Sequence, residues 1–156
     1  MLRTRTSASP GVTARAQAVK YLARREYSAT ELSQRLLGLG YESDEVTGAL
    51  RTLQEKGMQS DARFAEVFCR SRVAKGYGPA RIEYELRDYG IDAEIVADAM
   101  SVYDHVWRQE LARLLAKRTR GADLRDARER AKQIRFLYGR GFSDAQIRAA
   151  MKEYLG

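Results

Sequence analysis

A glycine that recurs about every 50 residues constrains this chain more than any other feature. Gly40, Gly90 and Gly141 each have a leucine four positions before them and a bulky residue directly after them. Aliphatic residues and alanines also recur six, nine and ten positions after each glycine. The corresponding residues are Leu36, Leu86 and Leu137; Tyr41, Ile91 and Phe142; Val46, Val96 and Ile147; Ala49, Ala99 and Ala150; and Leu50, Met100 and Met151. A match this regular predicts an internal duplication.

The residue types predict what each copy looks like. Glycine supplies the left-handed residue that ends a helix, because it has no side chain to clash. The bulky residue after it is expected to cover the end of that helix. The alanine allows the next helix to approach closely, and the neighbouring aliphatic residues fill the groove between the two helices. Each copy is therefore predicted to contain three helices.

Helical patterns occupy the remaining sequence, and strand signals are nearly absent. Ser28 to Glu31 and Ser143 to Gln146 have the spacing of a capping box, and Ser60 marks a third helix start. An apolar stripe with steps of three and four residues continues through Tyr103 and Trp107 to Leu114. The predicted helices are 13–26, 29–38, 43–56, 61–75, 79–89, 92–118 with a candidate kink at Ser101, 124–139 and 143–154.

These helices predict an all-α fold of three tandem three-helix repeats. Short units of this kind cannot each bury much surface alone, so neighbours are expected to stack into an extended, curved array. The predicted division is a flexible basic tail over residues 1–12, followed by repeats at 13–57, 58–103 and 104–156.

Composition excludes several classes of protein. The chain has 156 residues, of which 44% are hydrophobic and 31% charged, as in a soluble folded protein. No apolar run approaches the roughly 20 residues of a membrane span, and the start lacks a secretory signal. We therefore expect a cytoplasmic protein with no membrane partner.

Few residues are available for catalysis or metal binding. Cys69 and His105 are the single cysteine and the single histidine, which is too few for an internal disulfide or a zinc site. The best acidic cluster, Asp88, Asp92 and Asp98, fits a metal-dependent nuclease less well than a solvated acidic surface. The sequence predicts no catalytic residue, no metal and no cofactor.

The net charge of +7 indicates an acidic partner, and the charge is unevenly distributed. Residues 83–104 contain seven acids and one base, whereas residues 108–140 contain eleven bases and four acids. We predict a DNA-binding basic patch in the second stretch, and a merely solvated helix face is the alternative. The patch residues are Lys117, Arg118, Arg120, Arg125 and Arg128.

A second candidate site surrounds Gly76-Tyr77-Gly78-Pro79. The spacing is not that of a phosphate-binding loop, and proline is tolerated at the first turn of a helix, so the segment is predicted to join two helices. The residues predicted to bind a partner are Arg70, Arg72, Lys75, Arg81 and an exposed Tyr77, because arginines beside an aromatic ring suit phosphates, bases or an acidic protein surface. Alternatively, Arg72 or Arg81 pairs with Glu66, Glu83 or Glu85 and only stabilises the turn.

Several segments resemble the RecX family of bacterial recombinase regulators. They are "SATELSQRLLGLGY", "DARFAEVFCRSR" and "KGYGPARIEYELRDYGID", together with the glycine-centred repeats, and the resemblance runs from about Ala18 to Tyr154. The matching positions of the middle repeat are Asp61, Arg63, Phe64, Ala65, Arg72, Gly76, Gly78, Pro79, Ile82, Glu85, Leu86 and Gly90. The third repeat departs most, with "RTRGADLRDARER" in place of a Tyr-Gly-Pro joint.

The resemblance implies a small, non-enzymatic, monomeric, cytoplasmic protein that binds the RecA filament on single-stranded DNA. It implies inhibition of filament growth, ATPase, strand exchange and co-protease activity, and so a role in recombination, DNA repair and the SOS response. The residues themselves leave open a helical protein that acts directly on DNA. A helix-turn-helix reader is the weaker version of that alternative, since the helix over residues 44–55 carries Asp44, Glu45 and Glu55.

Overall fold

The computed structural model describes residues 11–156, so most of the predicted N-terminal tail, residues 1–10, lies outside it. Within the described range the chain forms nine α-helices and no strand. They are α1 (Ala14–Leu22), α2 (Ala29–Gly38), α3 (Ser43–Glu55), α4 (Asp61–Ala74), α5 (Pro79–Asp88), α6 (Ala93–Ser101), α7 (Trp107–Arg118), α8 (Ala127–Arg140) and α9 (Asp144–Leu155). We call α1–α3, α4–α6 and α7–α9 repeats 1, 2 and 3. No helix in residues 11–156 is both long enough and apolar enough to cross a membrane.

The recurring glycines have the predicted role. Gly40, Gly90 and Gly141 have φ angles of 100°, 80° and 99°, which lie in the left-handed region. In each copy the amide of the bulky residue after the glycine donates a hydrogen bond to the carbonyl of the leucine before it. The three N–O distances are 3.3 Å for Tyr41 to Leu36, 3.1 Å for Ile91 to Leu86 and 3.2 Å for Phe142 to Leu137. The same helix-ending motif is therefore built three times.

The other repeated positions supply the core. All three leucines are fully buried, and the aliphatic residue six positions after each glycine is also buried. The alanines nine positions after the glycines, Ala49, Ala99 and Ala150, are buried as well, as a close approach of two helices requires. These residues that recur in the sequence are therefore residues that each repeat buries in its core.

The buried residues form two separate clusters. The smaller one belongs to repeat 1 alone and contains Leu32, Leu36 and Leu53. The larger one runs without a break from Phe64 in repeat 2 to Met151 in repeat 3. Repeats 2 and 3 therefore share one core, whereas repeat 1 has its own.

Polar contacts connect repeat 1 to repeat 2. The Ser28 hydroxyl donates to the carbonyl of Tyr89 at 2.8 Å, and the amide of Ala29 donates to the Asp61 carboxylate at 2.8 Å. An ion pair joins Arg63 and Glu26 at 2.6 Å. Two hydrogen bonds and one ion pair therefore link repeat 1 to repeat 2, although their cores are separate.

Several details differ from the sequence prediction. The first helix ends at Leu22 instead of residue 26, and α8 begins at Ala127 instead of residue 124. The single helix over 92–118 is wrong, because α6 ends at Ser101 and α7 begins at Trp107. Tyr103 is half-buried and Trp107 is buried, so the apolar pattern continues through the turn that separates the helices. The Ser28 capping box is only half formed: Ser28 accepts from the Glu31 amide, but the Glu31 carboxylate binds Arg25. The Ser143 capping box is confirmed.

Candidate partner-binding site

The predicted joint between α4 and α5 also connects repeat 2 to repeat 3. Gly76, with φ 85°, follows α4, and Pro79 opens α5. The Gly78 amide donates to the Arg140 carbonyl at 2.7 Å, and the Ala80 amide donates to the Gly141 carbonyl at 3.0 Å. These amides belong to the start of α5, where helix donors lack partners within the helix, and the carbonyls belong to the end of α8. The amides at the start of α5 and the carbonyls at the end of α8 therefore provide each other's hydrogen-bond partners.

Two arginines reinforce this contact from opposite sides. Arg140, at the end of α8, donates to the carbonyl of Lys75 at the end of α4, with an N–O distance of 3.1 Å. Arg81, in α5, donates to the carbonyl of Gly139 in α8, also at 3.1 Å. Each guanidinium thus lies at the negative end of a helix in the neighbouring repeat, where a cation is stabilised.

Arg72 and Arg81 both bind Glu85. Their Nε atoms lie 2.7 Å and 3.1 Å from the two carboxylate oxygens of Glu85. These are ion pairs of the kind that the alternative interpretation predicted. They do not test whether the same two arginines contact a partner, which stays a prediction.

The expectation of an exposed Tyr77 is wrong, because the ring is half-buried against the shared core. Three guanidiniums surround it. The guanidinium carbons of Arg72, Arg81 and Arg140 lie 5.6, 4.7 and 4.6 Å from the ring centre. Such distances allow a cation–π attraction, which holds the arginines in place. Arg70 and Lys75 are exposed and have no ion pair within residues 11–156.

The five residues of the predicted basic patch are all exposed. None of them has an ion pair with another residue of the described chain. Arg118 is the one held most firmly: its guanidinium carbon lies 3.6 Å from the Phe136 ring centre, and its Nε donates to Gln133 at 3.4 Å. The patch therefore retains its positive charge.

Phe136 and Arg140 join the two predicted sites into one surface. Phe136 has Arg118 on its ring at 3.6 Å and Arg140 at 5.0 Å. Arg140 also lies over Tyr77, which in turn carries Arg81. We call this alternating series, Arg118–Phe136–Arg140–Tyr77–Arg81, the arginine–aromatic row.

Sequence reasoning missed Phe136 and Arg140. Their separation of four residues, on one side of α8, was a usable signal for a paired aromatic and cation. Nothing in the sequence, however, indicated that the carbonyl of Lys75, 65 residues earlier, accepts from Arg140.

The single cysteine and the single histidine lie in different surroundings. Burial raises the pKa of the Cys69 thiol to about 11, and its sulfur lies 3.6 Å from that of Met100. His105 is exposed in the turn between α6 and α7. No group of three or more histidine, cysteine or acidic side chains in residues 11–156 is placed to hold a metal ion.

Comparison with known proteins accounts for the three repeats. Models of the first, second and third three-helix domains of RecX match residues 14–53, 60–100 and 108–151. The chain is 43% identical over 139 residues to the regulatory protein RecX of Chromohalobacter salexigens, covering 89% of this chain and 91% of the relative. It is 40% identical over 134 residues to that of Halorhodospira halophila, covering 85% and 83%.

Solved structures agree with this assignment. The crystal structure of RecX from Lactobacillus salivarius superposes with a TM-score of 0.75 at 26% sequence identity, covering 90% of this chain and 93% of that one. A second crystal structure of a regulatory protein RecX superposes with a TM-score of 0.69 at 20% identity, covering 89% and 73%, and supports the fold alone.

Proposed function

This chain belongs to the RecX family, and from that premise we propose that it regulates the RecA recombinase by binding the RecA filament on single-stranded DNA. The observation that carries the proposal is the match to all three RecX domains, in order, over residues 14–151. The proposed protein is a cytoplasmic monomer that performs no catalysis.

The proposed mechanism is inhibition through binding along the filament. The bound protein blocks filament growth and thereby restrains ATP hydrolysis, strand exchange and co-protease activity. Its charge distribution supports this geometry. The acidic residues 83–104 cover α5 from Glu83 onward and all of α6, and the basic residues 108–140 cover most of α7 and all of α8, so one molecule can meet both a basic protein surface and the DNA phosphates.

We assign the contacts with the filament to the two predicted sites. Arg70, Arg72, Lys75, Tyr77 and Arg81 contact RecA or its DNA beside the joint. The basic patch contacts single-stranded DNA more weakly and in a salt-dependent way, because each contact with a phosphate releases counterions.

A second candidate function is direct binding to DNA without RecA. The observation that favours it is the exposure of the whole basic patch, without ion pairs to residues 11–156. One assay separates the two functions: RecA's DNA-dependent ATP hydrolysis, measured at protein concentrations where binding to free single strands is weak. Inhibition at those concentrations supports the filament regulator. Inhibition that begins only where the free DNA is saturated supports direct DNA binding.

Replacing Arg72 and Arg81 by alanine tests the contact assigned to the joint. We expect helicity near that of the unmodified protein, because partly exposed ion pairs such as those to Glu85 contribute only about 0–1 kcal/mol each, and the lost hydrogen bond from Arg81 to Gly139 contributes roughly 0.5–1.5 kcal/mol. We also expect weaker inhibition of RecA. Circular dichroism and the ATPase assay measure the two effects.

Arg15→Ala with Arg24→Ala is the matched control. Both residues are exposed in repeat 1. Replacing them removes the same amount of positive charge, but at a position distant in sequence from the joint. Equal loss of inhibition by both double variants would indicate a dependence on net charge alone. Unfolding of the Arg72 and Arg81 variant would instead support the alternative interpretation, in which these two side chains stabilise the turn.

A further inference from the structure

We propose that the arginine–aromatic row, together with Arg72, is one preorganised track for a single-stranded phosphodiester backbone, built by repeats 2 and 3 jointly and centred on Arg140. This inference rests on the proposed contact with single-stranded DNA. It goes beyond that contact by naming the arginines that bind the phosphates and what holds them in place.

The first support for the track is its charge. Four arginines, Arg72, Arg81, Arg118 and Arg140, lie on or beside the row. Glu85 is the one carboxylate that residues 11–156 place in an ion pair with any of them, and it serves both Arg72 and Arg81. Arg118 and Arg140 keep their full charge, so the row is incompletely neutralised and fits a polyanion.

The second support is that the guanidiniums are fixed before any ligand binds. Arg118 stacks on Phe136, and Arg140 lies between Phe136 and Tyr77. Arg140 and Arg81 each use one N–H on a helix-end carbonyl of the other repeat. Since a guanidinium has five N–H donors, others remain for a ligand. An arginine that is already ordered loses less side-chain entropy when it binds.

The third support is the shape of the series. The cations alternate with rings in a continuous series of contacts from the end of α7, over α8, to the joint between α4 and α5. A flexible phosphodiester chain can follow such a series and place successive phosphates on planar, bidentate donors. The carboxylates of a folded acidic protein are not free to line up in this way, so single-stranded DNA is the occupant that we propose.

The test uses substitutions that preserve charge. Arg140→Lys and Arg118→Lys keep the positive charge but remove the planar group that stacks on the rings. Arg135→Lys is the control, because Arg135 is exposed on the same helix and has no ion pair or ring contact within residues 11–156. Binding of the full chain to labelled oligothymidylate is measured by fluorescence anisotropy at several salt concentrations.

We expect Arg140→Lys and Arg118→Lys each to weaken binding about three- to tenfold, and Arg135→Lys to leave it unchanged. At about −0.7 per phosphate contact, the four arginines of the track contribute about −2.8 to the salt slope of the unmodified protein, and contacts of the other basic-patch residues add to it. The salt slope should persist in all three variants, because none loses a charge. Since Arg118 donates to no inter-repeat carbonyl, Arg118→Lys decides the question even if Arg140→Lys disturbs the fold.

Three results would overturn the proposal. Arg140→Lys and Arg118→Lys could both bind as tightly as the unmodified protein, or Arg135→Lys could weaken binding as much as they do. Alternatively, polyglutamate at equal charge could displace the oligothymidylate, which would indicate an acidic polypeptide as the ligand. The RecA ATPase assay with the unmodified protein keeps the two proposals separate, since its failure to inhibit RecA would remove the proposed function without affecting DNA binding along the row.

Discussion

Substituting Gly141 by alanine should separate repeats 2 and 3, whereas the same change at Gly40 should not. The two glycines end α8 and α2 with the same motif and nearly equal φ angles, 99° and 100°. A Cβ atom at position 40 would meet nothing within 4 Å, but one at position 141 would lie 2.4 Å from Cβ and 2.6 Å from the backbone N of Arg81. The comparison therefore isolates the contact between repeats from the backbone conformation.

The expected magnitudes follow from this geometry. A left-handed alanine costs about 1–2 kcal/mol at either position. At position 141 the clash also forces α5 away from α8, which breaks the hydrogen bonds from Gly78 and Ala80. Each of these bonds contributes roughly 0.5–1.5 kcal/mol. We expect Gly40→Ala to lower the free energy of unfolding by about 1–2 kcal/mol and Gly141→Ala to lower it by about 2–5 kcal/mol.

Urea unfolding measures the difference, and circular dichroism follows all three repeats, including the separate core that contains Gly40's helix. The single tryptophan, Trp107, is buried in the shared core, with its ring centre 6.3 Å from that of Phe142, so its fluorescence reports on repeats 2 and 3. Gly121→Ala is a second control within repeat 3, because Gly121 has φ 73° and open space around it. If Gly141→Ala destabilises this core no more than Gly121→Ala does, the close approach of the two repeats contributes nothing to stability.

Three further expectations concern stability and binding. Gly90→Val should cost at least about 1–2 kcal/mol through backbone strain, with a further clash against Thr30, and an unchanged melting temperature by circular dichroism would contradict the role assigned to that glycine. Because burial raises the pKa of Cys69 from 9.0 to about 11, the unfolded chain loses the thiol proton first, so stability should fall by up to roughly 2–3 kcal/mol as the pH rises through that window. Urea titrations of Cys69→Ala should lack this component, and the idea fails if both proteins show the same pH dependence. Charge reversal of Lys117, Arg118 and Arg120 should abolish most binding to bare DNA in a salt titration but reduce RecA inhibition only partly; simultaneous loss of both activities would show that DNA contact provides most of the affinity.

The repeat architecture could be predicted because its determinants are local. A left-handed glycine, the buried leucine four residues before it and the alanine nine residues after it act within one helix-turn-helix segment. Their spacing therefore appears directly in the sequence. The joint at Pro79 was predictable for the same reason, since proline at the first turn of a helix needs no distant partner.

The break between α6 and α7 and the arginine–aromatic row were not predictable in this way. Tyr103 and Trp107 continue the apolar spacing through the turn, and no glycine or proline marks the end of α6. The row depends on Arg140 meeting a ring and a carbonyl more than 60 residues earlier. Such a contact is fixed by how two repeats dock, which the spacing within either repeat does not encode.

The two separate cores impose an order on folding during synthesis. Every residue of the smaller cluster belongs to repeat 1, so its core is complete once α3 has been made. Repeat 2 buries Leu86 and Phe64 together with Trp107, Leu137 and Phe142 of repeat 3, which are synthesised later. At about 5–20 residues per second, roughly 5–20 seconds separate the two events. In the later part of that interval, after α6 has been made, the apolar side of α4–α6 stays uncovered, and the nascent chain is most open to aggregation or chaperone capture.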